Sequence, residues 1–342
     1  LGLAETSWIK KSAAAMKIIK KVLWVSFLLA LPVTSFPYFP PSIGGDALVR
    51  PLSLYPLIVL IPLFIIPRLL RRPLPKTIQP LVFFVLIAAA SSTISMLHEV
   101  EPSHGISIAE RSLRGMITLG IGCAIYLSVV LLPETIDDLR FTLRWSYLGC
   151  VVAMVWGSIQ AWQILNFNAK IFSVMEYVQH FISTRRLLYE RISGLTYEPH
   201  WFADQLILIV LPGTLAAILS GYSIFRWRKG NLTIEWFLLA WMVILLPFTY
   251  SRAGLLNLIV TVLLSVLLFS TSRLKKRPAS EKPEARSGWF STVRSMWKRL
   301  SLVLLVAIVV IIPIYLVGVQ NEFFARIWKF WRQPDALNPP GI

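Results

Sequence analysis

The chain has 342 residues, of which 56% are apolar and only 15% are charged. Soluble globular domains carry about 25% charged residues, so this composition excludes an ordinary soluble domain and indicates an integral membrane protein. The net charge of +17 would favour nucleic acid binding in a soluble domain. In a membrane protein, however, Lys and Arg accumulate in cytoplasmic loops, so we expect no nucleic acid partner.

Apolar runs of the length needed to cross a bilayer, about 20 residues, recur along the whole chain. They predict an all-α, polytopic transmembrane bundle of about nine spans. The first run would also suit a signal peptide, but Pro32 and the lack of a small-residue cleavage pattern favour a retained span. The predicted spans cover residues 22–38, 51–67, 78–97, 115–133, 145–165, 204–225, 234–250, 253–272 and 300–320.

The distribution of Lys and Arg predicts which loops are cytoplasmic, because these residues are enriched on that side. With the N-terminus in the cytoplasm, most of the 34 Lys and Arg residues fall on the cytoplasmic side. The predicted domains are a basic cytoplasmic segment at 1–21 and a transmembrane domain at 22–320. That domain has a long exoplasmic loop at 166–203 and a mobile, polar cytoplasmic linker at 273–299. Residues 321–342 begin a periplasmic loop.

The exoplasmic loop holds the most polar passage near a membrane face. Its first half places Ile171, Val174, Val178 and Phe181 on one side of a helix, which either lies in the lipid interface or packs on the bundle. The sequence RISGLTYEPHWFADQ follows at 191–205.

Two predicted spans separate this passage from TYSRAG at 249–254, so Arg191 and Arg252 face the same leaflet. Guanidinium groups at the exoplasmic surface of the membrane are suited to a phosphate or diphosphate, because one guanidinium can donate hydrogen bonds to two of its oxygens.

Simpler roles remain open for each of these residues. Arginines at helix ends commonly extend to lipid headgroups, and Glu198 and His200 are compatible with a solvated loop beside Pro199. Tyr197 and Tyr250 suit either an aromatic belt at the membrane interface or stacking on sugar rings. The sequence contains no HExxH, CxxC or Gly-rich phosphate motif, so we expect no metal and no cofactor.

The passage RISGLTYEPHWFADQLILIVLP, followed by TYSRAGLLNLIVTVLL, resembles the paired motifs of bacterial O-antigen ligases and polysaccharide repeat-unit polymerases. The resemblance covers residues 20–342. It implies a multi-pass protein of the bacterial inner membrane with the GT-C architecture, which acts on the periplasmic face and is surrounded by membrane lipids. Its implied partners are an undecaprenyl-diphosphate-linked oligosaccharide and a glycan or lipid-linked acceptor.

The resemblance also implies roles for individual residues. Arg191 and Arg252 would hold the diphosphate of the donor, and Glu198 would deprotonate the acceptor. Substrate-binding residues would be His200, Tyr197, Tyr250, Ser251 and Arg326. Members of this family usually continue into a large periplasmic loop, so we expect Arg326, Lys329 and Arg332 to begin that loop and the chain to be a fragment.

Two other functions are compatible with the sequence. A transporter or flippase for a lipid-linked or anionic solute would usually carry charges or broken helices at mid-membrane. Here the charges cluster at span ends, and Pro62 and Pro212 are the only hints of a break. A scaffold protein of an export complex would need neither exoplasmic arginine.

Overall fold

The computed structural model describes residues 2–38, 49–71, 73–96, 107–220, 223–229 and 232–275. These residues are mostly helical. They divide into two compact units, one formed by Leu1–Leu31 with Pro51–Trp145 and the other by Pro32–Arg50 with Ser146–Ile342. The predicted span at 300–320, most of the linker at 273–299 and all of 321–342 lie outside the described residues.

The first unit contains four helices and the beginning of a fifth. They are α1 (Gly2–Ala30), α2 (Leu54–Arg71), α3 (Gln79–Met96), α4 (Ile108–Leu131) and the first part of α5 (Ile136–Leu165). Phe27, Leu28 and Leu57 are fully buried between α1 and α2, and Trp24 donates a hydrogen bond to Thr142 at 2.9 Å. By contrast, α3 and α4 are exposed along almost their whole length, as expected of apolar helices that face lipid.

In the described residues, the second unit contains the remainder of α5, four further helices and a small hairpin. The helices are α6 (Ala169–Ile182), α7 (Pro199–Ser220) and α8 (Ile234–Leu245), and a fourth, α9 (Arg252–Lys275), follows a 3-10 turn at Leu246–Thr249. The hairpin pairs β1 (Arg228–Lys229) with β2 (Leu232–Thr233). The core of this unit is formed by fully buried side chains of α5, α7 and α8, namely Met154, Phe202, Leu206, Leu211 and Met242.

Two of the apolar helices contain a π turn just before a proline. In α2 the turn covers Ile61–Ile65 and precedes Pro67; in α7 it covers Leu206–Val210 and precedes Pro212. Proline lacks an N–H group, and its ring crowds the carbonyl four residues earlier. The wider turn accommodates the ring, so both helices continue through it instead of breaking.

The structure supports a helical membrane protein and changes several of the predicted bounds. Five helices in the described part of the chain are long and apolar enough to cross a membrane: Leu54–Arg71, Lys76–Met96, Ile108–Leu131, Ile136–Leu165 and Pro199–Leu219. Two shorter apolar helices, Ile234–Thr249 and Ala253–Ser265, coincide with the predicted seventh and eighth spans. The helices at Ile136 and Pro199 begin several residues earlier than the predicted starts at 145 and 204.

The predicted first span, residues 22–38, is not one continuous helix. Helix α1 ends at Ala30, because a residue before proline is disfavoured in the α conformation and Pro32 follows. Ser35 is extended and forms a β-bridge with Arg50. The same segment bonds to the loop at 183–184, since Thr184 N–H donates to the Ser35 carbonyl at 2.9 Å. Residues 34–36 therefore help to build the site described next.

Candidate functional site

The two motifs singled out in the sequence, RISG and TYSRAG, lie against each other in the second unit. The backbone N–H of Ile192 donates to the carbonyl of Phe248 at 3.0 Å. Arg191 Nε donates to the carbonyl of Thr249 at 3.2 Å. The chain then turns at Tyr250, whose φ of 55° is left-handed. These bonds fix the Arg191 side chain beside the turn that leads into α9.

A buried glutamine of α5 holds the RISG loop from the opposite side. Gln160 Oε1 accepts hydrogen bonds from the backbone N–H groups of Ser193 at 3.0 Å and Gly194 at 2.9 Å. Gly194 has a φ of +55°, and a Cβ atom there would lie 2.7 Å from the ring of Phe202. Only glycine fits this position, because any other residue would have a strained backbone there and its Cβ atom would clash with the buried ring.

The electrostatics of Arg191 distinguish it from an ordinary surface arginine. Burial, together with the nearby positive charge of Arg185, lowers the pKa of the Arg191 guanidinium. In the described part of the chain no carboxylate lies close enough to form an ion pair with Arg191. The side chain therefore carries a partly desolvated positive charge, and an anionic ligand would relieve its unfavourable environment.

Glu198 lies at the start of α7 and is held by the guanidinium group of Arg185. It occupies the N-cap position with Pro199 as the first helical residue. Its carboxylate forms an ion pair with Arg185 and lies 4.0 Å from Nδ1 of His200. The Arg185 guanidinium also stacks on the ring of Tyr197, 5.0 Å from its centre. With a side-chain exposure of 25%, Glu198 is a positioned carboxylate and not a freely solvated one.

The N-terminal ends of α7 and α9 pack directly against each other at this site. Ser251 caps α9, since its Oγ accepts a hydrogen bond from the N–H of Gly254 at 3.0 Å. A Cβ atom on Gly254 would lie 2.9 Å from the Cβ of Ala203 in α7, so the two helices approach as closely as their backbones permit. Each helix N-terminus carries a partial positive charge. These two partial charges add to the positive charges of Arg185 and Arg191 in the same region.

No protein-family model, curated protein or solved structure matches the chain. The resemblance to O-antigen ligases and polymerases therefore rests on the motifs quoted above. The contact between RISG and TYSRAG is a separate observation, because nothing in the motifs themselves requires them to touch.

The structure gathers most of the predicted site residues into one region. Arg191, Tyr197, Glu198 and His200 lie on the loop and first turn of α7, and Tyr250 and Ser251 form the facing turn. Arg252 is the first residue of α9, and its backbone follows directly from this turn. The position of its side chain lies outside what the structure describes, and so does Arg326.

Several residues of the site were not predicted from the sequence. Arg185 could have been found, because it is an arginine of the same loop as Arg191 and goes equally against the expected charge distribution. Gln160 could not, since a glutamine in an apolar helix does not reveal which backbone it will bind. The same holds for Thr34, whose Oγ1 accepts a hydrogen bond from the N–H of Tyr197 at 3.0 Å across 163 positions of sequence.

Proposed function

We propose that this protein is a membrane glycosyltransferase of the O-antigen ligase or repeat-unit polymerase type. It takes a glycan from an undecaprenyl-diphosphate-linked donor at the periplasmic face of the bacterial inner membrane. The glycan is passed to a growing polysaccharide or to a lipid-linked acceptor. The residues that act on the donor are Arg191 and Arg252.

The observation that carries this proposal is the environment of Arg191. Its guanidinium is half-buried, has no carboxylate partner among the described residues, and is fixed to the turn from which Arg252 starts α9. An arginine held at the turn from which a second arginine starts a helix suits a diphosphate, which presents several oxygens to planar donors. The two helix N-termini favour the same negative charge.

The transfer step follows from these positions. An acceptor hydroxyl attacks the anomeric carbon of the donor sugar, and the bond from that carbon to the diphosphate oxygen breaks. The bonding electrons leave with the undecaprenyl diphosphate, where Arg191 and Arg252 stabilise the growing negative charge. The hydroxyl proton passes to the carboxylate of Glu198, which the ion pair with Arg185 holds in place.

The transporter alternative has no comparable support. Its sequence hints were Pro62 and Pro212, and both helices continue through these prolines with a π turn close by. Among the described residues of α8 and α9, the charged positions lie near the ends of the helices rather than at their centres. An intramembrane ion or solute site would usually require the opposite arrangement.

The test is polysaccharide synthesis in cells whose own gene is replaced by variants of the full-length protein. We expect Arg191→Ala and Arg252→Ala each to reduce chain growth about 10²- to 10³-fold, the usual loss when one fixed donor to a developing negative charge is removed. Membrane insertion, followed by immunoblot of the membrane fraction, should be unchanged.

The matched control is Lys170→Ala, which removes one positive charge from an exposed position of the same loop. It should leave glycan synthesis at the level of the native protein. Normal polymer from the Arg191→Ala and Arg252→Ala variants would overturn the proposed function. Substrate uptake into proteoliposomes without any change in glycan length would instead support a transporter.

A further inference from the structure

A polar cleft adjoins the candidate site but contains neither Arg191 nor the turn at Tyr250. It lies between α6 and the segment that follows it, and its volume is about 260 Å³. One wall is formed by side chains of α6, namely Ser173, Glu176, Tyr177 and His180. The facing wall is formed by Arg185 and Arg186.

The floor of the cleft is firmly held by hydrogen bonds. Gln179 accepts a bond from Trp156 Nε1 at 2.9 Å. The hydroxyls of Ser183 and Ser35 lie 2.5 Å apart, and the N–H of Arg185 donates to the Ser183 hydroxyl at 3.2 Å. Because these contacts connect the floor to α5 and to the segment after α1, the cleft is a fixed feature of the unit and not a gap beside a loose loop.

The lining residues exclude several classes of ligand. Pockets for drug-like or acyl ligands are mainly apolar, whereas here nearly every lining side chain carries a hydroxyl, amide, imidazole, carboxylate or guanidinium group. A free phosphate is also disfavoured, since the carboxylate of Glu176 faces the cleft and the charge of Arg185 is compensated by Glu198. Hydrogen-bonding groups of both polarities beside the exposed ring of Tyr177 suit a polyhydroxylated ligand, that is, a sugar.

We infer that this cleft is the subsite for the acceptor glycan. The inference rests on the proposed function and adds the place where the second substrate binds. Arg185 is the structural link, because it lines the cleft and forms the ion pair with Glu198. The cleft therefore adjoins, through Arg185, the carboxylate that takes up the acceptor's proton in the proposed transfer.

The binding test uses the purified full-length protein in nanodiscs. The probe is a set of short oligosaccharides released by partial hydrolysis from the polysaccharide that the cells produce, observed by saturation-transfer NMR. Glu176→Ala and Arg186→Ala alter groups that have no ion pair in the described part of the chain, so folding should be preserved. We expect each variant to weaken oligosaccharide binding about tenfold or more.

The matched control is Val174→Ala on the outward face of the same helix, which should bind as the native protein does. In cells, Glu176→Ala and Arg186→Ala should shorten the polysaccharide chains, because a weakly held acceptor leaves after fewer transfers. Arg191→Ala should reduce chain growth about 10²- to 10³-fold, as above, while leaving oligosaccharide binding intact.

Different results separate the two proposals. Unchanged oligosaccharide binding and unchanged chain length in both cleft variants would overturn the acceptor subsite, even if Arg191→Ala abolished synthesis. Inorganic diphosphate that binds the native protein, is lost in Arg186→Ala and displaces no oligosaccharide would also overturn it, since the cleft would then be an anion site. Persistent synthesis in Arg191→Ala would count against the proposed function alone.

Discussion

At the scale of single residues, the site depends on small groups that permit close contacts. Gly194 adopts a left-handed conformation directly beneath the ring of Phe202, which is fully buried. Gly157 of α5 approaches the same ring, since a Cβ atom there would lie 3.0 Å from it. The ring of Phe202 thus packs between two glycines. One of them, Gly194, belongs to the loop that contains Arg191. Any group added at Gly194 must displace either the ring or the loop.

We predict that Gly194→Ala destabilises the protein and disables the site. The positive φ alone costs a residue with a Cβ about 1–2 kcal/mol, and the contact with the buried ring adds to it. The thermal unfolding midpoint of the purified protein in detergent should fall, and polysaccharide synthesis should fall with it.

Gly115→Ala is the control for this substitution. Gly115 lies in α4, where a Cβ atom would have nothing within 4 Å. Alanine in a helix is favoured over glycine by about 1 kcal/mol, so this variant should be as stable as the native protein or slightly more stable. Equal midpoints for the two variants would show that neither the positive φ nor the ring of Phe202 constrains position 194.

At the scale of elements, α6 presents two different faces. Phe172, Met175 and Gln179 are buried against the rest of the unit. The apolar stripe noted in the sequence points away from them, with Val174 exposed by 63% and Phe181 by 44%. Of the two interpretations left open by the sequence, this arrangement favours the helix whose stripe lies in the lipid interface. Gln179, although polar, is buried and accepts a hydrogen bond from Trp156.

We predict that the two faces of α6 differ in their contact with lipid. Spin labels attached at Val174→Cys and at Ser173→Cys, in a background with Cys123→Ala and Cys150→Ala, should report different collision partners. Because oxygen concentrates in lipid and a nickel chelate in water, the label at position 174 should collide mainly with oxygen. The label at position 173, which adjoins the polar cleft, should collide mainly with the chelate. Identical accessibilities would contradict an interfacial α6.

At the scale of the whole molecule, the sequence predicts the orientation of the chain in the membrane. The excess of Lys and Arg predicts that the N-terminus and the β1–β2 hairpin lie in the cytoplasm and the loop of Arg191 outside. The proposed chemistry depends on this orientation, because the lipid-linked donor is used at the periplasmic face.

We predict that Glu190→Cys reacts with a membrane-impermeant maleimide in spheroplasts. Lys229→Cys, on the hairpin, should react only after the membrane is permeabilised. Both positions are exposed, so accessibility within the protein does not limit either reaction. Both variants again carry Cys123→Ala and Cys150→Ala, and the parent without added cysteine gives the background labelling. The reverse pattern would place the site in the cytoplasm and exclude the proposed donor.

The sequence by itself determined the class of the protein and the approximate positions of its apolar helices. Crossing a bilayer requires a minimum number of consecutive apolar residues, and this is a local property that composition reveals. It determined helix ends less well. Helix α7 begins at Pro199, whose fixed φ suits the first helical position, whereas hydrophobicity alone suggested a start at 204. Pro32 was compatible with a span over 22–38, yet α1 ends before it.

Only the tertiary structure decided which distant polar groups meet. Contacts such as Gln160 with Ser193 and Gly194, Thr34 with Tyr197, and Arg185 with Glu198 depend on how helices and loops pack. A buried polar group must find a partner, but nothing in its local sequence says which one. The parity of the predicted spans led us to expect Arg191 and the TYSRAG turn on one side of the membrane. Their hydrogen-bonded contact, and the polar cleft beside them, follow from packing of the folded chain alone.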